Sequence, residues 1–177
     1  MQKNEDNRVY SIYGRRDTMR LKFYDETDYL FIEQYTLLEE QLRFTMSPKS
    51  SIELAKSDTS RHPVLAMKEE KLVTFFVLHE KEGVKPYSEN DRAILIRAFS
   101  TDVHEQGKGY AKEALQLLPA FVQQHFPIMN ELVLGVNFPN IAAQRLYKKC
   151  GFLDKGVRAK GINDELKVMH YYLQTEN

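Results

Sequence analysis

An apolar, β-rich run, RAILIRAFSTD at residues 92–102, leads through a turn with two glycines into helix-patterned sequence and then into a second apolar run, ELVLGV. In the helical part Ala111, Ala114, Leu115, Leu118 and Val122 recur on one face. A strand, a helix and a strand joined this way make a right-handed crossover, which sets the two strands side by side and parallel. ELVLGV is apolar without alternation, as a strand covered on both faces should be. A second helix follows, with Ala143, Leu146, Tyr147 and Cys150 on its stripe and Gly151 placed to end it in the left-handed conformation. Pro119 falls inside the first helix, where it removes one backbone hydrogen bond and is expected to kink the axis at about 3 kcal/mol.

The earlier chain is patterned for a meander. MRLKFY alternates like a strand from Met19, and from Asp25 the apolar residues Tyr29, Ile32, Tyr35 and Leu38 predict one helix. Ser47 as N-cap and Pro48 at the first helical position start another, over 47–57. Strands are expected at 64–67 and 72–79, joined by KEEK, then a loop, EKEGVKPYSEND, before the run at 92–102. FLDKGVR and ELKVMHYYL are the closing strands. The resulting fold class is α+β, a mixed, mostly antiparallel sheet with a central parallel pair and helices on both faces. Residues 1–17 are polar and unpatterned and read as a leader or arm; residues 18–177 read as a single domain.

Composition excludes several partners. Lys plus Arg number 25 and Asp plus Glu 25 in 177 residues, so no electrostatic footprint for nucleic acid exists. An anionic ligand would have to be held locally. One cysteine cannot form an internal disulfide, the N-terminus lacks a signal peptide's apolar core, and no apolar stretch reaches membrane-spanning length. A cytoplasmic protein is expected. His62, His79, His104, His125 and His170 show no metal-ligand spacing, so no metal is expected. A homodimer is left open.

A helix beginning directly after a strand and a glycine turn presents unpaired N–H groups and the positive end of its dipole, which together attract an anion. Gly107 and Gly109 would let a phosphate approach the backbone, with Lys108 nearby and small Ala111 behind. Glycines serving only a left-handed turn would look the same. A P-loop is absent, and the dinucleotide fingerprint breaks at Lys112.

The six residues Gln106, Gly107, Lys108, Gly109, Tyr110 and Ala111 fit R/Q-x-x-G-x-G/A, and NIAAQRLYKKCGF at 140–152 fits N-x-x-A-x-x-L/F-Y-x-x-x-G-F. Two such motifs in this order resemble the Gcn5-related N-acetyltransferases. The resemblance implies that the backbone from Gln106 to Ala111 cradles the pyrophosphate of acetyl-CoA, with the Gln106 and Lys108 side chains alongside. It implies that the strand before the turn bulges and splays from its parallel neighbour, so that the backbone of Phe99 and Thr101 pairs with the pantetheine arm. It places Asn140 on the other side of that arm and Tyr147 near the sulfur. An acyltransferase of this kind passes the acetyl group directly to an amine: backbone N–H groups hold the oxyanion, and the departing thiolate takes a proton, here from Tyr147. On helical spacing alone Tyr147 would be one more apolar member of its stripe; its place in RLYKKCGF favours the proton donor.

Family members with a glutamate on the strand before the turn use it as base. Here that strand has only Asp102, so a water chain, Glu80 or Glu82 are the alternatives. Cys150, at the buried end of a helix stripe, reads as an inert thiol rather than a nucleophile. LIRAF running into QGKGYAKEAL resembles the bacterial spermine/spermidine acetyltransferase branch, which implies a small polycationic acceptor received near Glu80, Glu82 and Glu89. Protein N-termini, aminoglycosides and amino acids remain open as acceptors. So does a second class, a non-catalytic acyl-CoA-binding module, against which the retention of Tyr147 and Asn140 counts.

Overall fold

The computed structural model describes residues 18–161 and 164–174; the segment 1–17 lies outside the described residues. Seven strands make one sheet in the order β1 (Arg20–Phe23), β2 (Arg61–Lys68), β3 (Lys71–His79), β4 (Ala93–Thr101), β5 (Glu131–Asn137), β7 (Glu165–Tyr172) and β6 (Leu153–Lys160). All neighbours are antiparallel except β4 and β5, which run parallel. The crossover between them is α4 (Tyr110–His125), and α5 (Ile141–Lys149) follows β5. The expected mixed sheet with its central parallel pair is therefore present.

The strand period of two sorts the core onto the two faces of the sheet. Phe76, Leu78, Ile94, Ile96, Leu132 and Leu134 turn toward Leu115, Leu118 and Val122 of α4 and Tyr147 of α5. Leu65, Met67, Phe75 and Val77 turn the other way, toward Ile32 of α1 (Tyr29–Gln34) and Ile52 of α3 (Pro48–Ser57). Each such fully buried side chain contributes roughly 1.5–3 kcal/mol. β5 packs on both faces, with Val133 meeting Val84 and Tyr87 of the 80–91 loop. That loop is tied down by buried Glu131, which accepts hydrogen bonds from Asn90 Nδ2 at 2.8 Å and Ser88 Oγ at 3.2 Å.

α3 starts as its sequence predicts, with Ser47 Oγ accepting from the Ser50 N–H and Pro48 at the first position. α4 continues through Pro119 as one helix. The single helix expected from Asp25 is instead three pieces: a 3-10 turn at Glu26–Asp28, α1, and a short α2 (Glu39–Leu42). Local capping explains the first break, since Asp25 Oδ1 accepts from the Thr27 N–H while Asp28 Oδ2 accepts from the Asp25 N–H. A long-range tie explains the second. Thr36 donates its N–H to Asp102 Oδ2 at 2.7 Å and accepts from the Val103 N–H at 2.9 Å, and the Tyr35 hydroxyl donates to the Ser100 carbonyl at 2.7 Å. These bonds pull residues 35–38 out of the helix and across the end of β4, next to the glycine turn.

Candidate active site

β4 and β5 share ladder bonds only from Ala93 opposite Glu131 to Ile96 opposite Leu134. Beyond that point each strand keeps its outer partner, β3 or β7, and the two diverge. The divergence has a local cause in β4. Val77 pairs with Arg97 and Phe75 with Ser100, so Ala98 and Phe99 together face Phe76, and Ala98 takes a positive φ of 50°. That is a β-bulge, and an alanine held in the left-handed region costs roughly 1–2 kcal/mol. The bulge sends Ala98 toward Tyr35 and Phe31, whereas Phe99 turns to the α4 and α5 face.

The expected backbone contacts, Phe99 and Thr101, lie on this splayed stretch. Because the Asp102 N–H bonds to the Val73 carbonyl, alternation turns the N–H and C=O of Thr101 away from β3 and into the gap. The Thr101 carbonyl accepts from Gln41 Nε2 at 2.9 Å, and the Gln41 Oε1 in turn accepts from the Leu38 N–H at 2.9 Å. Gln41 thus docks α2 on the edge of the gap, a role that no local pattern signals.

The glycine turn has the form an anion site requires. Gly107 and Gly109 have φ values of 74° and 82°, and a Cβ built on either would meet nothing within 4 Å. Both need glycine for conformation, and both open onto free space. Gly109 is the N-cap of α4, and no side chain caps the helix. The first N–H to find a helical partner is that of Glu113, bonded to the Gly109 carbonyl, which leaves those of Tyr110, Ala111 and Lys112 pointing out of the helix end. Gln106 is exposed beside them. Lys108 sits on Glu105 at 2.8 Å, and that contact raises its pKa, so its ammonium must leave a partner to meet a phosphate.

Asp102, the carboxylate nearest the turn, is buried and fully engaged, with Oδ1 accepting from the His104 N–H at 2.8 Å and Oδ2 from Thr36. It holds the turn and is not placed to take a proton. Asn140 caps α5, its Oδ1 accepting from the Ala143 N–H at 3.2 Å, and leaves its amide NH2 free of intramolecular partners among the described residues. One helical turn on, Gln144 was not singled out by the sequence, although a polar residue on the buried stripe signals committed hydrogen bonds. Its Nε2 donates to the carbonyls of Asn137 and Phe138 at 3.0 and 2.8 Å, and its Oε1 accepts from Lys167, fixing the loop that leads out of β5.

Tyr147, one further turn along the same face, is 8% exposed and packs edge-on to Phe99 and Phe152. Its hydroxyl makes no hydrogen bond among the described residues. Burial, with Cys150 adding to it, pushes the phenol well above its usual pKa, so it carries its proton throughout the working range. Burial likewise raises the thiol of Cys150. Among the described residues no group of three or more His, Cys, Asp or Glu side chains comes together to hold a metal, and no helix is long and apolar enough to cross a membrane.

On the opposite face a cavity of about 650 Å³ lies between the 80–91 loop and β4, reaching Lys160 at the β6–β7 hairpin. Glu82 lines it but pairs with Lys85 at 2.7 Å. Glu80 is held by His62 Nε2 at 2.7 Å, and Glu89 is exposed on the loop. The three expected substrate carboxylates therefore do not converge on one point.

Residues 21–152, which include the splayed strand pair and the glycine turn, match the model of the acetyltransferase (GNAT) family. The chain belongs to that family. This acetyltransferase is 42% identical over 154 residues to the uncharacterized N-acetyltransferase YbbJ of Bacillus subtilis (strain 168), spanning 86% of this chain and 96% of the relative. Its fold resembles that of the spermidine N-acetyltransferase of Vibrio cholerae in complex with CoA and spermine, with a TM-score of 0.66 and 18% identity over 89% of this chain and 97% of the other. It also resembles the aminoglycoside acetyltransferase AAC(6')-Ib in complex with coenzyme A and kanamycin, with a TM-score of 0.71 and 14% identity over 88% and 95%. The protein is thus an N-acetyltransferase with acetyl-CoA as cosubstrate.

Proposed function

We propose that this acetyltransferase passes the acetyl group directly from acetyl-CoA to a small primary amine, with Tyr147 as the proton donor. The observation that carries the reading is the hydroxyl of Tyr147, which has no partner among the described residues although its ring is packed in the core beside Phe99. A core tyrosine normally finds a partner for its hydroxyl; one held protonated without a partner is available to a ligand. The N–H groups of Tyr110, Ala111 and Lys112 and the open backbone at Gly107 and Gly109 fit the pyrophosphate, and the splayed backbone of Phe99 and Thr101, where the Thr101 carbonyl would have to exchange Gln41 for the ligand, fits the pantetheine amides. Asn140 offers its free amide from the opposite rim.

Acetyl-CoA supplies an activated acyl group on a thiol that can leave. The chain supplies position and proton: the bulge presents N–H groups where negative charge develops, and Tyr147 delivers its proton to the sulfur. With Asp102 engaged in holding the turn, the amine loses its own proton to water. The acceptor enters the cavity on the face opposite α4, so that amine and coenzyme meet from two sides of the sheet.

Thiol release from acetyl-CoA, measured across polyamines, aminoglycosides, amino acids and N-terminal peptides, tests the reading. Turnover with one amine class, lost in Tyr147→Phe, supports it. Tight coenzyme binding with no release for any amine would instead make the protein an acyl-CoA-binding module.

A further inference from the structure

We propose that the acceptor amine carries an oxyanion, a carboxylate or a phosphate, and that Arg97 binds it; this rests on the acetyl-transfer reading above. Arg97 is the first residue of β4 beyond the parallel ladder, directly before the bulge at Ala98. Its side chain lines the cavity on the acceptor face, while Phe99 lies on the coenzyme face. A group clamped at Arg97 therefore sits at the mouth of the splay, across the sheet from the α4 helix end.

The charge in this cavity is of the wrong sign for a bare polycation. Arg61, Lys81, Arg97 and Lys160 line it against Asp58 and Glu82. Asp58 is spent, accepting from Arg61 Nε at 3.1 Å, from Ser60, and from His79 Nε2 at 3.3 Å. Glu82 leans on Lys85 at the surface.

Arg97 itself forms no ion pair among the described residues. Its one polar contact is His79 Nδ1, at 3.1 Å. A guanidinium only donates, so Nδ1 accepts and the imidazole is neutral, with its proton on Nε2 toward Asp58. Gly83 is what allows this arrangement, since a Cβ there would fall 2.2 Å from the His79 ring. Desolvation lowers the pKa of the guanidinium, opposed by the smaller effects of Tyr87 and Asp58 and joined by that of Arg61. A half-buried cation given a neutral partner and cationic neighbours is unfavourable until an anion arrives, and the guanidinium fork matches the two oxygens of a carboxylate or phosphate. Packing over the gap supports the same placement. Tyr87 lies so close to Gly135, just past the last β4–β5 pair, that a Cβ there would come within 2.8 Å of its ring. It thereby walls the cavity where the strands part.

Matched amines that differ only in the oxyanion test this: lysine against cadaverine, ornithine against putrescine, and phosphoethanolamine against ethanolamine, each with acetyl-CoA and the full chain. The expected result is a kcat/KM about tenfold or more higher for the oxyanion-bearing member of at least one pair. The winning pair distinguishes carboxylate from phosphate. Arg97→Gln should erase that preference by raising the KM for the amine, Arg97→Lys should restore part of it, and the affinity for CoA should persist in both. Lys160→Gln, at an exposed position, should reduce the preference in the same direction and covers the case in which an Arg97 variant fails to fold. Amines that react equally well without the oxyanion, or a preference that survives Arg97→Gln, would overturn the Arg97 inference and leave acetyl transfer standing. No thiol release with any amine would remove both.

Discussion

The ring of Tyr147 stands edge-on to that of Phe99, with centroids 6.1 Å apart, and Phe99 in turn stacks on Phe76 at 5.7 Å. Tyr147, the proton donor proposed above, therefore packs on the residue whose backbone forms the bulge of β4, so the bulge that opens the cleft also positions this phenol. Tyr147→Phe keeps the ring, and with it this packing. It should lower kcat by about a hundredfold while leaving the KM for acetyl-CoA little changed, as expected for a group used only in the transition state. Steady-state kinetics decides the matter, and unchanged turnover in a folded variant would return Tyr147 to the core.

Gly109 and Gly156 share a left-handed φ, 82° and 83°, and open space around the missing Cβ. Valine at either position should cost roughly 1–2 kcal/mol from backbone conformation alone. Only at Gly109 do the added methyls stand over the α4 helix end. Calorimetry should show CoA binding lost in Gly109→Val and retained in Gly156→Val, with similar losses of stability. Equal coenzyme affinity in the two would remove the turn from the coenzyme site.

Most of the strand and helix pattern was readable in the sequence because periods of two and 3.6 are local. The two motif segments were readable as well, since their glycines and caps act within a few residues. What was not readable depends on pairs far apart in the chain: Thr36 with Asp102, Gln41 with Thr101, and Gln144 with the carbonyls leaving β5. The helix expected from Asp25 broke at Tyr35 because Asp102, 66 residues from Thr36, captures a backbone N–H that a helix would have used. The partners that occupy the Asp102 carboxylate were unreadable for the same reason. Arg97 did leave a trace, as the one charge within an otherwise apolar stretch of strand, but its one polar partner, His79, lies on β3.

The tie between Asp102 and Thr36 should matter to the site as well as to stability. Asp102→Ala leaves the N–H groups of Thr36 and His104 without their acceptor, at a cost on the order of 2 kcal/mol or more. Denaturant titration should show that loss, and the variant should also bind CoA more weakly, because the turn hangs from this carboxylate. A variant that kept full stability would contradict the hydrogen-bond assignment.

His79 makes the cavity beside Arg97 sensitive to pH. Burial, with the charges of Arg61 and Arg97 acting in the same direction, holds its pKa at about 4, below the ordinary value of about 6.5. Between those limits the unfolded chain takes up a proton that the folded protein refuses. Stability therefore falls as pH is lowered from about 6.5 toward about 4, and this residue adds no pH dependence above that window. Gln at this position can offer an oxygen to Arg97 and an N–H to Asp58 but cannot titrate. Melting temperatures followed across the window should fall less steeply with acid in His79→Gln than in the parent. Identical slopes would mean that the imidazole charges as easily in the folded protein as in the open chain, and that it is not the neutral acceptor on which Arg97 rests.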